Sequence, residues 1–157
     1  FKIIELHNNT LKVFEDGKIL VLGKYKPHKD EFYEKKCYKC RGYLELILTH
    51  KYKQKHYKVH RLVAYAFLNL DLENPVQVID HQDRDILNND VSNLRIVSHQ
   101  QNMFNRNAKG YYWHKLNKKW HSQIHLNGKI IHLGYFDNEE DASKAYQDAK
   151  LIHHIIN

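Results

Sequence analysis

The sequence predicts an α+β fold built from small antiparallel sheets with a few short helices, and three observations carry that reading. Short apolar runs punctuated by turn residues, Asp16-Gly17 among them, fill the first third of the chain. The middle reads strand, polar loop, strand, helix between Gln77 and Arg106. The last third gives three strands and then a stretch of helical periodicity.

Composition sets the bounds. A chain of 157 residues with 42% hydrophobic content can bury one good core or two small ones. No apolar run is long enough to span a membrane, and no charged-then-apolar leader is present. Two cysteines exclude a disulfide framework and point to an intracellular location. The chain begins at Phe1, so native sequence is expected to precede it. The net charge of +7 is unevenly spread. Residues 1–59 carry 14 Lys/Arg against 7 Asp/Glu, residues 60–108 carry 4 against 6, and residues 109–157 carry 7 against 5. A slightly acidic centre between basic flanks suits a cation site between grips on a polyanion.

The first region, residues 1–58, is expected to be an antiparallel sheet. Leu11-Lys12-Val13-Phe14 and Ile19-Leu20-Val21-Leu22 flank the Asp16-Gly17 turn, and Gly42 to Leu48 and Tyr57 to His60 read as two further strands. Lys24 to Arg41, rich in Lys and Tyr, reads as a loop. The connection Lys51-Tyr52-Lys53-Gln54-Lys55 places Lys51, Lys53 and Lys55 where they can hold phosphates, a contact that positions a protein on DNA without specifying bases. Cys37 and Cys40 have the spacing of half a zinc site, which His28 and His50 would have to complete; two reduced thiols are the alternative.

The central region, residues 59–108, holds the chemistry. Gln77-Val78-Ile79-Asp80-His81 reads as a strand, Gln82 to Asp90 as a loop, and Leu94-Arg95-Ile96-Val97 as a second strand. Ser98, with Gln101 three residues on, is expected to cap a helix carrying Asn102. Hydrolysis of a phosphodiester needs a base beside the attacking water and a divalent cation to stabilise the leaving oxygen. Asp80 and Asn102 offer hard oxygen ligands, and the imidazole of His81 can accept a proton near neutral pH. Arg84, Arg95 and Arg106 can hold phosphate; Arg106 lies one helical turn beyond Asn102.

The order Asp80-His81, Asn93, Asn102 at these intervals resembles the HNH, or ββα-metal, endonucleases, and in particular the phage intron-encoded homing enzymes. Val59-His60-Arg61-Leu62-Val63-Ala64-Tyr65-Ala66-Phe67 is similar to the helix that leads into the nuclease finger there. The resemblance implies that Asp80 and Asn102 bind the metal, that His81 is the general base, and that Asn93 holds the His81 loop by hydrogen bonding. It also implies an N-terminal sheet that lies on DNA. Asn102 stands where many relatives have His, which favours Mg²⁺ or Mn²⁺ over Zn²⁺. Arg84 stands where many have Gly.

In the third region, residues 109–157, Tyr111 to Lys115, Lys119 to Leu126 and Ile130 to Tyr135 read as strands, with Asn127-Gly128 as a hairpin turn. Asn138 is expected to cap a helix with Ala142, Ala145, Tyr146, Ala149 and Ile152 at helical spacing. Lys-Gly at the start, Lys119-Trp120, Leu133-Gly134-Tyr135-Phe136-Asp137 and the Ala-x-x-Ala-Tyr helix are similar to the APETALA2/ethylene-response-factor DNA-binding domain. That family lays its sheet in the major groove. Trp120, Ile124 and Leu133 are expected to face the helix, leaving Tyr112, His114, Lys119, His121, Gln123, His125 and His132, with Lys109 beside them, to face DNA. His and Tyr replace much of the arginine common in that family.

Together these readings give a site-specific, metal-dependent endonuclease acting on double-stranded DNA, inside a phage, viral or bacterial host. A single site per chain, and no heptad pattern to form a dimer seam, predict a monomer that nicks one strand. A DNA-binding regulator without catalysis is the alternative.

Overall fold

The computed structural model describes residues 1–106 and 108–154. The chain forms two compact units, Phe1–Ser98 and His99–Asn157. Among the described residues no helix is long and apolar enough to cross a membrane.

The first unit opens with a four-stranded antiparallel meander of β1 (Lys2–Leu6), β2 (Asn9–Val13), β3 (Ile19–Leu22) and β4 (Phe32–Glu34). A second sheet has three strands, β5 (Tyr38–Cys40), β6 (Tyr43–His50) and β7 (Lys53–Lys58). Alternate side chains of a strand share a face, so Leu11 and Val13 of β2, Ile19 and Val21 of β3, and Leu46 and Leu48 of β6 all point inward.

Helix α1 (Val59–Phe67) closes this core with Val59, Leu62, Val63 and Ala66, an apolar stripe at helical spacing. It stops at Leu68, whose amide donates to the carbonyl of Ala64 at 2.8 Å, and Asn69 follows with φ +59°. A left-handed Asn just past the last turn is a common way to end a helix.

The loop after α1 leads into a two-stranded ribbon of β8 (Val78–His81) and β9 (Leu94–Val97). Its register sets Asp80 opposite Arg95 and His81 opposite Leu94. Ile79 and Leu94 join the same apolar cluster as Leu11, Leu46 and Leu62. Complete burial of such a side chain stabilises by roughly 1.5–3 kcal/mol, so the ribbon is anchored on the core of the N-terminal sheets. The first two predicted regions therefore share one core, and the division between units falls after Ser98.

The second unit begins with α2 (His99–Phe104) and continues into a sheet of β10 (Tyr111–His114), β11 (Lys119–Leu126) and β12 (Lys129–Phe136) packed on α3 (Glu139–His153). Ile124, Tyr146 and Ala149 are buried together, with Tyr111 and Leu133 against them. The side chain of Asn138 accepts the amide of Asp141 at 2.8 Å, an N-cap, and three acids occupy the first turn of α3.

Gly110 has φ +71°, and a Cβ built there would overlap the ring of Tyr146. Gly110→Ala is expected to destabilise the second unit by about 2 to 4 kcal/mol, combining left-handed strain with overpacking. Thermal unfolding followed by near-ultraviolet dichroism measures it; an unchanged midpoint would mean that the ring moves aside freely.

Several elements depart from the sequence expectation. β1 was not foreseen, and the segment read as a loop from Lys24 to Arg41 contains β4 and β5. The strand expected over Tyr57 to His60 ends at Lys58, and Val59 and His60 belong to α1. The β6–β7 connection is only the two-residue turn Lys51-Tyr52, with φ +46° and +64°, so Lys53 and Lys55 stand on β7 itself.

Candidate active site

Successive residues of a strand face opposite ways, and β8 uses this to give Asp80 and His81 different neighbours. Both are buried, at 4% and 5% exposure. Arg95, opposite on β9, donates its Nε to Oδ2 of Asp80 at 2.8 Å and sets an Nη2 atom 2.6 Å from the same oxygen. Arg95 is thus found in an ion pair with Asp80.

His81 packs against His60 of α1, with ring centroids 5.1 Å apart and the planes at 87°. Tyr43 touches both, at 5.1 Å from His60 and 6.4 Å from His81. Burial, reinforced by the nearby His81, Lys58 and Arg61, pushes the pKa of His60 down to about 3. An imidazole held neutral in this way is a weak base.

The connection from β8 to β9 is held by short polar side chains. Asn93, at the end of a 3-10 turn spanning Val91–Asn93, accepts the amide of Asp83 at 3.0 Å and donates to Oδ1 of Asp83 and the carbonyl of Asn88, both at 2.9 Å. Its own carbonyl accepts the amide of Gln82 at 2.9 Å. Asn93 therefore braces the residues that follow His81 through both its side chain and its backbone. The Asp83 carboxyl titrates below the usual carboxylate range, first because Asn88 donates to it at 2.7 Å and then because the Asp85 amide donates at 2.8 Å.

Arg84 takes φ +68° while its amide donates to the carbonyl of His81 at 2.9 Å. A glycine would suit this left-handed corner, and Arg84 occupies it at a conformational cost. The loop before β8 is fixed by Arg61, which donates to the carbonyls of Leu72 and Gln77, each at 3.3 Å.

Asn102 lies in α2 and is half-buried in the second unit, where Arg106 is exposed just beyond the helix. A carboxylate oxygen and an amide oxygen are each hard donors of the kind Mg²⁺ or Mn²⁺ accepts. The Asp80 carboxylate faces the Arg95 guanidinium. Among the described residues no three His, Cys, Asp or Glu side chains are grouped to hold a metal ion. Cys37 and Cys40 are free thiols, Cys37 pointing at the carbonyl of Lys35, and among the described residues they are not gathered with His28 or His50. His28 instead stacks on Tyr33, and His50 reaches the carbonyl of His7.

Lys51, Lys53 and Lys55 are exposed, with Nζ of Lys55 3.1 Å from Nε2 of His7. A cleft of about 740 Å³ in the same unit is lined by Lys24, Lys26, Lys35 and Lys51 together with His28 and Tyr52.

In the second unit, strand pairing puts Tyr112 and His114 of β10, Lys119, His121, Gln123 and His125 of β11, and His132 of β12 on one face. A bulge at Ser122/Gln123 shifts the register so that His132 joins them and Gly134 pairs with Ser122. His121 is only 2% exposed, so the expectation that it faces outward to a ligand is corrected. Tyr112, His132 and Tyr135 cover it, and its Nε2 lies 3.0 Å from Nδ1 of His132. Lys119 pairs with Asp137 at 3.0 Å and Lys109 with Glu139 at 3.4 Å, both on the surface.

Sequence reasoning placed His60, Tyr43 and Tyr135 only within predicted elements and gave none of them a role in a site. A histidine adjoining the buried stripe of α1 was the available signal for His60.

Residues 57–104, which include the β8–β9 ribbon and α2, match the HNH endonuclease family model. The chain is similar to a solved structure of the HNH homing endonuclease I-HmuI, described as showing DNA binding and cleavage, with 25% identity and a TM-score of 0.50. That similarity covers 67% of this chain and 57% of the homing enzyme's chain. No curated protein sequence matches the chain.

Proposed function

We propose that the protein is a metal-dependent HNH DNA endonuclease of the homing type. The observation that carries this reading is the braced ribbon within the segment that matches the HNH family: Asp80 against Arg95 on one side, His81 on the other, and Asn93 tying the connection between the strands. His81 takes the proton of the attacking water, leaving 3′-hydroxyl and 5′-phosphate ends. Asp80 would hold one Mg²⁺ or Mn²⁺, with Asn102 as the second ligand that the HNH resemblance implies, and the ion would supply Lewis-acid stabilisation of the charge developing on the leaving oxygen. Asn93 positions the segment that follows His81.

The grips lie on either side. The exposed lysines of β7 and of the 740 Å³ cleft suit phosphates. The outer face of the β10–β12 sheet, with Tyr112, Gln123 and His125, suits a groove in the manner of the APETALA2-like domain. The four lysines and the aromatic side chains at the N-terminal cleft suit a sequence-independent grip.

Incubating the purified protein with target-bearing supercoiled plasmid, with and without Mg²⁺, tests the proposal. Open circle is expected with metal only, accumulating before any linear form, because one chain carries one base and one Asp80. Cutting without divalent metal would remove the mechanism, and direct conversion to linear DNA at limiting enzyme would show that two chains act together.

A further inference from the structure

We infer that His60 is a positioning residue that fixes the imidazole of His81 by edge-to-face packing, an inference that rests on the reading of His81 as the base. The two rings are 5.1 Å apart and nearly perpendicular, the arrangement in which the positive edge of one aromatic ring meets the negative face of another. His60 is itself held on its other side. Tyr43 packs against it at 5.1 Å, and the ammonium of Lys58 lies 4.3 Å from the centroid of the Tyr43 ring. Lys58, Tyr43 and His60 thus form a stack that ends on His81.

Packing alone does not account for an imidazole at this place. His60 is only 6% exposed, and its Nδ1 is buried with no hydrogen-bond partner among the described residues. A stranded polar atom costs roughly 1–3 kcal/mol, a cost that leucine or phenylalanine would avoid at the same helix position. His81 closes β8, and beyond it the chain turns into the loop, so ring contacts from α1 reach its side chain from a different element than the backbone pairing does. A catalytic group misplaced by about 1 Å can lose about 10²-fold in rate.

The test uses the full chain and two variants, with kcat and KM for plasmid nicking measured alongside thermal unfolding. His60→Leu fills the space without an aromatic edge and removes the stranded nitrogen. It is expected to melt no lower than the wild type yet to lose about 10- to 100-fold in kcat with KM unchanged. His60→Phe restores a ring edge and is expected to recover most of that loss. In a His81→Ala background, His60→Leu should cost nothing further, because His60 acts only through His81. Wild-type kcat in His60→Leu, a loss confined to KM, no recovery with His60→Phe, or an equal extra loss on top of His81→Ala would each overturn the inference. Undiminished cutting by His81→Ala alone would instead overturn the assignment of the base.

Discussion

His81→Ala is expected to reduce metal-dependent DNA cutting by about 10² to 10⁴ while leaving DNA affinity within twofold or so of the wild type, because general-base catalysis typically contributes that much and the proposed phosphate grips lie on other elements. The substitution keeps the fold. His81 pairs with Leu94 at the end of the ribbon, and its backbone role survives the loss of the ring. The Asp80–Arg95 pair on the opposite face and the Asn93 bonds to Asp83 and Gln82 do not involve the imidazole. The missing side chain leaves a gap beside Tyr43 and His60, so a modest fall in thermal stability accompanies the loss of activity. Single-turnover nicking rates and electrophoretic mobility shifts, measured on the same preparation, separate the two effects. Wild-type cutting would show that a group other than His81 takes the proton, and His60, its pKa pushed down to about 3 by burial, is too weak a base to be that group.

How far the fold could be read beforehand depended on where each turn placed its strain. Four hairpins use two consecutive residues at positive φ: His7-Asn8, Arg41-Gly42, Lys51-Tyr52 and Asn127-Gly128. Asn127-Gly128 was legible because Asn and Gly tolerate that conformation locally. Lys51-Tyr52 was not, because the residues carry no such preference and the turn is imposed by the six-residue register of β6 on β7. The short strands β4 and β5 were hidden in a Lys- and Tyr-rich stretch for a related reason: each has three residues, too few to show an alternation. In the site, the spacing of Asp80, His81, Asn93 and Asn102 was visible because it is linear. The pairing of Asp80 with Arg95, 15 residues away, emerges only from the strand register, and the contact of His60 with His81 only from the packing of α1. Helical periodicity tells which face of α1 is buried; it does not tell what that face meets.

Arg95→Ala is expected to lower the stability of the first unit by about 2 to 3 kcal/mol, and divalent metal is expected to restore part of it. The side chain of Asp80 is 5% exposed and that of Arg95 29%. Removing the guanidinium strands a buried carboxylate, which in a fully buried pair costs about 3–5 kcal/mol; partial exposure of Arg95 reduces that figure. In a unit of this size the change corresponds to a fall of roughly 10–20 °C in melting temperature. If Asp80 is a metal ligand, Mg²⁺ or Mn²⁺ supplies the positive charge that the variant lacks, and a ligand that binds only the folded state raises its stability. The melting temperature of Arg95→Ala should therefore rise more on adding metal than that of the wild type, where Arg95 already neutralises the carboxylate. Calorimetry of wild type, Arg95→Ala, Asp80→Asn and the double variant, each with and without Mg²⁺, decides the point without any DNA being cut. In Asp80→Asn the metal increment should vanish, and in the double variant the Arg95→Ala penalty should be smaller than in the wild-type background, since no carboxylate is left stranded. An equal metal increment in wild type, Arg95→Ala and Asp80→Asn would place the cation away from Asp80 and leave the Asp80–Arg95 pair as a structural bond across the ribbon.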